Sequence, residues 1–194
     1  MKTLILNLIL IFNISICKSQ TYNTINFAKN GKISIPTDWK VYSEEWNNDI
    51  TKKAGFDESE KKTILRASDY DKSTIYIKLS TKILSNIITK EELASNDFLD
   101  ILNDDLNQTT DLLTTKNNIV KEKIKAKFAN FGTGNGGVIS YTYLNDRGKT
   151  RKTFIYTIIK GKKFYNLTVS WEIEKNIECE KIINKIKEDL IFSE

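Results

Sequence analysis

Histidine is absent from this 194-residue chain, and cysteine and proline are scarce, with two of the first and one of the second. The missing imidazole removes the commonest general base, the Ser-His-Asp and Cys-His arrangements, and the commonest zinc ligand. With Cys17 and Cys179 as the only thiols, a Cys/His metal site is excluded as well. Carboxylate pairs and Ser-Lys or Tyr chemistry are what remain for catalysis, and none leaves a decisive mark in a sequence. A single proline and no low-complexity tract leave nothing that reads as an interdomain linker. No internal repeat is present, so the expectation is one domain.

What the chain does have begins at its first residues. Lys2 is followed by an apolar run from Leu4 to Ile16, broken only by Asn7, Asn13 and Ser15. An early cation and a short apolar stretch form the n-region and h-region of a secretory signal. The run falls short of the roughly 20 residues that cross a bilayer core. Cys17 and Ser19 place small residues at −3 and −1 for cleavage before Gln20. Residues 1–19 are therefore expected to be a signal peptide, and residues 20–194 a single exported domain. That domain would be periplasmic or extracellular. Lipid attachment at Cys17 is less favoured, because Ile16 stands where Gly, Ala or Ser normally precedes a lipidated cysteine.

Cleavage leaves Cys179 alone, so an intramolecular disulfide is impossible and packing must hold the domain together. Lys2 and Lys18 leave with the signal, which takes the formal charge from +5 to +3. That mild balance does not point to nucleic acid. No later segment is apolar enough to span a membrane.

Along the remainder, Ile25 and Phe27 alternate with polar neighbours before Lys29-Asn30-Gly31-Lys32, a two-residue hairpin signal. The return strand carries Ile33 and Ile35 and continues through Pro36 toward Trp39 and Val41. Pro36 marks its end or an edge. Ser43 is placed to cap a short helix bearing Trp46 and Ile50. Asp57 to Glu60 resembles a capping box opening a second helix with Ile64 and Leu65. Thr74 to Ile83 alternates as a half-buried strand.

A long helix is predicted from Thr89 or Ser95 to Leu113, its apolar stripe formed by Phe98, Leu99, Leu102, Leu106 and Leu113. An antiparallel meander follows, with strands around Ile124–Phe128, Val138–Leu144, Thr153–Ile159 and Phe164–Trp171. A last helix from Glu174 to Leu190 brings Cys179, Ile182, Ile183, Ile186 and Leu190 to one side. Apolar residues on both faces of the strands require both faces to be covered. The predicted architecture is α+β, an antiparallel β-sheet with helices packed on both faces, an α/β/α sandwich.

Two segments carry a resemblance to a known group. They are Ile33-Ser34-Ile35-Pro36-Thr37-Asp38-Trp39-Lys40, and Lys163 to Trp171 followed by a helix and Asp189-Leu190-Ile191-Phe192. With the element order between them, the chain resembles the PsbP-like and DcrB-like superfamily of small exported α/β/α domains. The resemblance implies a non-catalytic domain that works by contacting other proteins. It supplies no catalytic motif and no cofactor to carry across.

Several constellations have sharper readings than their surroundings warrant. Gly132-Thr133-Gly134-Asn135-Gly136-Gly137 suggests a phosphate cradle, yet it runs from strand to strand and lacks the helix N-terminus that meets an anion. It is read as a flexible connection and a possible contact loop. Lys121, Lys123, Lys125 and Lys127 alternate along one strand and read as a solvated or edge-protecting face. Asp97, Asp100, Asp104 and Asp105, with Glu91 and Glu92, are a solvated acidic face, since adjacent helix residues point about 100° apart. Cys179, flanked by Glu178 and Glu180, reads as a buried structural thiol.

Trp39, Trp46 and Trp171, with Tyr141, Tyr143 and Tyr165, are candidates for a pocket, though aromatics in a sheet-rich chain normally fill the core. Asn107-Gln108-Thr109 and Asn166-Leu167-Thr168 are glycosylation sequons.

The reading that follows is an exported, non-catalytic protein-interaction domain of the cell envelope, monomeric and without cofactor. Its partner would be another envelope or secreted protein. A carrier with a pocket between sheet and helix is the alternative, and a histidine-independent hydrolase a further one.

Overall fold

A computed structural model of the chain describes residues 20–27, 31–43, 45–46, 62–69, 74–131 and 134–192. The predicted signal peptide, residues 1–19, lies outside them.

The first two strands form the expected hairpin, β1 (Tyr22–Phe27) against β2 (Gly31–Pro36). Ile25 pairs with Ile33, and the ladder closes on Phe27 and Gly31. Gly31 is thus a ladder position and not part of a two-residue turn. A side chain there would collide with the Phe27 ring, which packs over the bare glycine.

The strand predicted to run on to Val41 divides after Pro36. Thr37 and Asp38 turn, and β3 (Trp39–Val41) pairs instead with the main sheet. Pro36 stands opposite Tyr22 with its nitrogen facing away from β1, and one more ladder bond follows, from Thr37 N–H to Thr21 O at 3.0 Å, before the chain turns away. Ser43 Oγ accepts from the Trp46 backbone N–H at 3.2 Å, as its capping role requires. The rest of that helix and the Asp57–Glu60 motif lie outside the described residues.

Ile64 and Leu65 do not continue a helix. They belong to β4 (Lys62–Asp69), where Thr63, Leu65 and Ala67 are buried while Ile64 and Arg66 are half-buried. The two-residue alternation of this segment wins over the helical spacing inferred from its capping signal.

β5 (Ile75–Ile83) pairs with β4 on one side and β9 (Lys163–Glu172) on the other. The meander of β6 (Ile119–Phe131), β7 (Gly134–Leu144), β8 (Thr150–Lys160) and β9 completes a seven-stranded antiparallel sheet in the order β3-β4-β5-β9-β8-β7-β6. Its hairpin turns are local chemistry. Asn145 Oδ1 accepts from the backbone N–H groups of Arg147 and Lys149, and Gly148 sits at φ 72°. Only glycine adopts that left-handed conformation without strain.

Both alternative starts of the long helix are used. Thr89 and Glu92 cap each other's backbone N–H at the start of the one-turn α1 (Lys90–Leu93). Ser95 then caps α2 (Asn96–Thr115), its Oγ accepting from Phe98 N at 3.3 Å. A single 3₁₀ turn, Ile173–Lys175, leads into α3 (Asn176–Asp189).

Two apolar clusters form on alternate strand residues. Tyr156 and Ile158 of β8 join Ile77, Leu79, Leu167, Val169 and Trp171, together with Cys179, Ile182, Ile183 and Ile186 of α3. Ile155 and Ile159 join Ile139, Tyr141 and Ala126, together with Phe98, Leu102 and Leu106 of α2. The predicted stripes of both helices are therefore the ones that pack.

The hairpin stands on the α3 cluster through Phe27, Ile33 and Ile35. It is pinned by a bridge in which Lys32 and Ile191 exchange backbone hydrogen bonds at 2.9 Å. The chain is α+β, an antiparallel sheet with few helices.

Candidate functional site

The glycine-rich run that suggested a mobile tip is mostly sheet. Gly132 and Thr133 lie outside the described residues, whereas Gly134 to Gly137 begin β7. Gly136 pairs with Ala129 and Ile158, and Gly137 with Phe128 and Thr157. Both glycines are buried. A Cβ on Gly136 would strike the Thr157 carbonyl oxygen, and one on Gly137 would strike Leu102 of α2. These two glycines let backbone and helix approach closely, and neither can serve as an exposed contact. An adjacent glycine pair beside alternating apolar residues was the available signal for this.

The lysine series does not share one face. β6 shifts register between Val120 and Glu122 and again between Ile124 and Lys127. Lys123 sits opposite Tyr141, a residue of the α2 cluster, but Lys127 sits opposite Val138, which packs against the α3 cluster. Directly paired residues point to the same face, so the second of these bulges sends the two lysines to opposite sides. Lys123 Nζ reaches Asn107 Oδ1 at 3.4 Å and Asp111 at 3.9 Å on α2.

The acidic residues do not converge. Glu92 is spent on its cap, whose hydrogen bonds from Thr89 hold its carboxyl below the usual range. Among the described residues no group of three or more His, Cys, Asp or Glu side chains is placed to hold a metal. Cys179 is buried in the α3 cluster, and burial together with Glu178 pushes its thiol up to about 11. Asn166 of the second sequon is buried and bound to Thr157 Oγ1 at 2.9 Å.

The three tryptophans separate. Trp39 and Trp171 are core residues, and the Trp171 indole N–H donates to Asn176 Oδ1 at 3.1 Å. Trp46 stands at the surface, stacked on Tyr42 at 4.2 Å between ring centroids. The Arg66 guanidinium lies 5.4 Å from the Trp46 ring centre.

Trp46 lines a pocket of about 370 Å³ with Tyr42, Arg66, Ser68, Tyr76 and Arg151. Arg66 and Tyr76 alternate with core-facing Leu65, Ala67, Ile75 and Ile77, so this pocket opens on the face opposite the α3 cluster. Tyr42 and Ser68 hydroxyls are 2.8 Å apart. Arg151 is buried, and its guanidinium donates to Ser170 Oγ, Ser170 O and Thr74 O. Arg66 is half-buried, and its Nε is buried with no hydrogen-bond partner among the described residues. Burial lowers its pKa and raises that of Tyr76. Arg66 was not singled out from the sequence, since its segment was read as a helix and most of its pocket neighbours come from other parts of the chain.

Two apolar depressions open elsewhere. A cleft of about 700 Å³ runs between β1 and the start of α3, lined by Tyr22, Ile173, Ile177 and Ile182 among others. Ile177 is 76% exposed there and Ile173 42%. A groove of about 400 Å³ lies between the hairpin and the ends of β4 and β5, with Ile25, Phe27 and Ile83 on its walls.

No family model matches the sequence, and no curated protein does. Solved structures do match. The cyanobacterial PsbP, CyanoP, from Synechocystis is 8% identical with a TM-score of 0.61, covering 93% of this chain and 99% of that one. LpqN of Mycobacterium tuberculosis, involved in cell envelope biogenesis, is 12% identical with a TM-score of 0.49 over 91% and 92% of the two chains. The Ran-binding protein Mog1p of Saccharomyces cerevisiae is 9% identical with a TM-score of 0.47 over 89% and 96%. The match to CyanoP shows the fold: the chain is built on the PsbP-like plan that its terminal segments resemble.

Proposed function

We propose that this PsbP-like chain is an exported, non-catalytic accessory domain that binds another envelope or secreted protein. Residues 1–19 serve as its cleavable signal, and residues 20–194 act as one monomeric domain in the periplasm or outside the cell. Its layers form an α/β/α sandwich, with α2 on one face of the sheet and α3 with the hairpin on the other. The alternation of β8 side chains between two clusters supports that layering. The Gly132–Thr133 connection belongs to the proposal as a secondary contact tip. No helix among the described residues is long and apolar enough to cross a membrane.

The observation that carries this reading is the cleft between β1 and α3. Isoleucines that helical packing does not use stand exposed around it, while the stripe of the same helix is buried. We read these exposed isoleucines, rimmed by Glu174, Lys175, Glu178 and Lys181 at a concave surface, as the place where a protein partner docks. A hydrolase would need paired acids in a cleft, yet the cleft's Glu174 and Glu178 stand among Lys175 and Lys181.

The test is recovery of a C-terminally tagged chain from its native envelope. Enrichment of a specific protein, reduced by Ile177→Asp, is the expected result. Recovery without any protein but with a bound small molecule would replace this reading by the carrier.

A further inference from the structure

The pocket of about 370 Å³ beside Trp46 is rich in donors and holds no acid among its lining residues. Arg66 is the telling member. A half-buried guanidinium loses hydration, and folded chains normally compensate such a group with a carboxylate or with carbonyl acceptors. Here its Nε–H is buried without an acceptor among the described residues. Its Cζ lies over the Trp46 ring at 5.4 Å from the centroid, which stabilises the cation. Around it stand the hydroxyls of Tyr42, Ser68 and Tyr76. Behind them Arg151 is held rigidly by Ser170 and Thr74, adding positive potential without needing to move.

A cationic ligand would leave these donors unanswered, and a neutral acceptor would answer them without balancing the charge. An anion with two acceptor oxygens pairs with the two terminal guanidinium nitrogens of Arg66, which lines the pocket, and takes a hydroxyl besides. The wall of stacked Tyr42 and Trp46 rings favours a flat, partly apolar body attached to that anion. We propose that this pocket is a carboxylate-binding site, anchored by Arg66 and walled by Trp46. The carboxylate belongs either to a free small acid or to an acidic side chain or chain end of a polypeptide.

The proposal stands apart from the protein-docking reading, which concerns the cleft beside α3 and is tested by partner recovery. Trp39 and Trp171 are buried away from the pocket lining, so a ligand here meets Trp46 alone, and its quenching is read as the change on top of their emission.

The experiment titrates the full chain with benzoate, and separately with a short acidic peptide, at constant ionic strength held with chloride. Saturable quenching of Trp46 emission is expected for at least one probe. Arg66→Met should weaken it by roughly tenfold or more, the loss of a charge-assisted hydrogen bond. Saturation by benzoate alone assigns a small acid, and tighter saturation by the peptide assigns a polypeptide carboxylate. Should Arg66→Met not fold, amide shifts in the unaltered chain decide. The probe that saturates must then move Arg66, Ser68 and Tyr76 and leave Ile177 in place. No saturation with either probe, unchanged affinity in Arg66→Met, or shifts confined to another surface overturns the proposal.

Discussion

At the scale of single residues, Trp171 and Cys179 make the clearest demands on the core. Trp171 is 1% exposed, stacks on Phe154 at 5.4 Å between ring centroids, and has its one donor satisfied by Asn176. Trp171→Ala leaves a large cavity and is expected to cost about 3–5 kcal/mol in urea unfolding. A loss under about 1 kcal/mol would mean the ring is not packed as described. For Cys179, burial raises the thiol pKa from an ordinary 9.0 to about 11. The folded state holds that proton more tightly than the unfolded chain, so the contribution is complete below pH 9 and is lost as pH rises toward 11. Denaturant midpoints measured across that window should fall less steeply in Cys179→Ala than in the unaltered chain. The absence of histidine and the inert cysteine were both legible from the sequence, because each concerns what a residue is and which neighbours flank it. Arg66 was not. Its importance arises from Trp46 and Tyr76, which the chain brings to it from other segments and which no local spacing reveals.

At the scale of elements, the caps and the glycines decide where pieces begin and how closely they approach. Ser95→Ala removes the acceptor for Phe98 N, and an N-cap of this kind is worth about 1 kcal/mol. Chemical denaturation should show that loss, with near-complete recovery in Ser95→Asp. Gly136→Ala places a methyl against backbone oxygen, whereas Gly137→Ala meets a leucine side chain that can shift. Overpacking of this sort costs about 1–3 kcal/mol, and Gly136→Ala is expected to be the more damaging of the two. Equal midpoints for the two variants would contradict the register of β7. The meander, both long helices and their buried stripes were readable because each repeats its period over many residues. β4 was misread as a helix because a capping motif just upstream outweighed a short alternation. The lysine series was misread because a bulge in β6 between Ile124 and Lys127, invisible in a periodic pattern, reverses its facing midway.

At the scale of the whole molecule, the terminal segments meet. The N-terminal hairpin stands on the helix and tail at the other end of the chain, pinned through Lys32 and Ile191. That closure buries Phe27, Tyr165 and Phe192 together and shapes the cleft beside α3. The two segments that suggested the PsbP-like plan meet in the same cluster, through Ile33, Ile35 and Trp39 on one side and Leu167, Val169, Trp171 and Leu190 on the other. The proposed docking surface could not be read in the same way, since such a surface needs neither a period nor a motif.

The most direct measurement places a photoreactive amino acid at Ile177 in living host cells and irradiates them. The account predicts a discrete adduct with another envelope protein, and none from the same group placed at exposed Arg147 in the β7–β8 turn. No adduct at Ile177, or the same adducts at both positions, would contradict it.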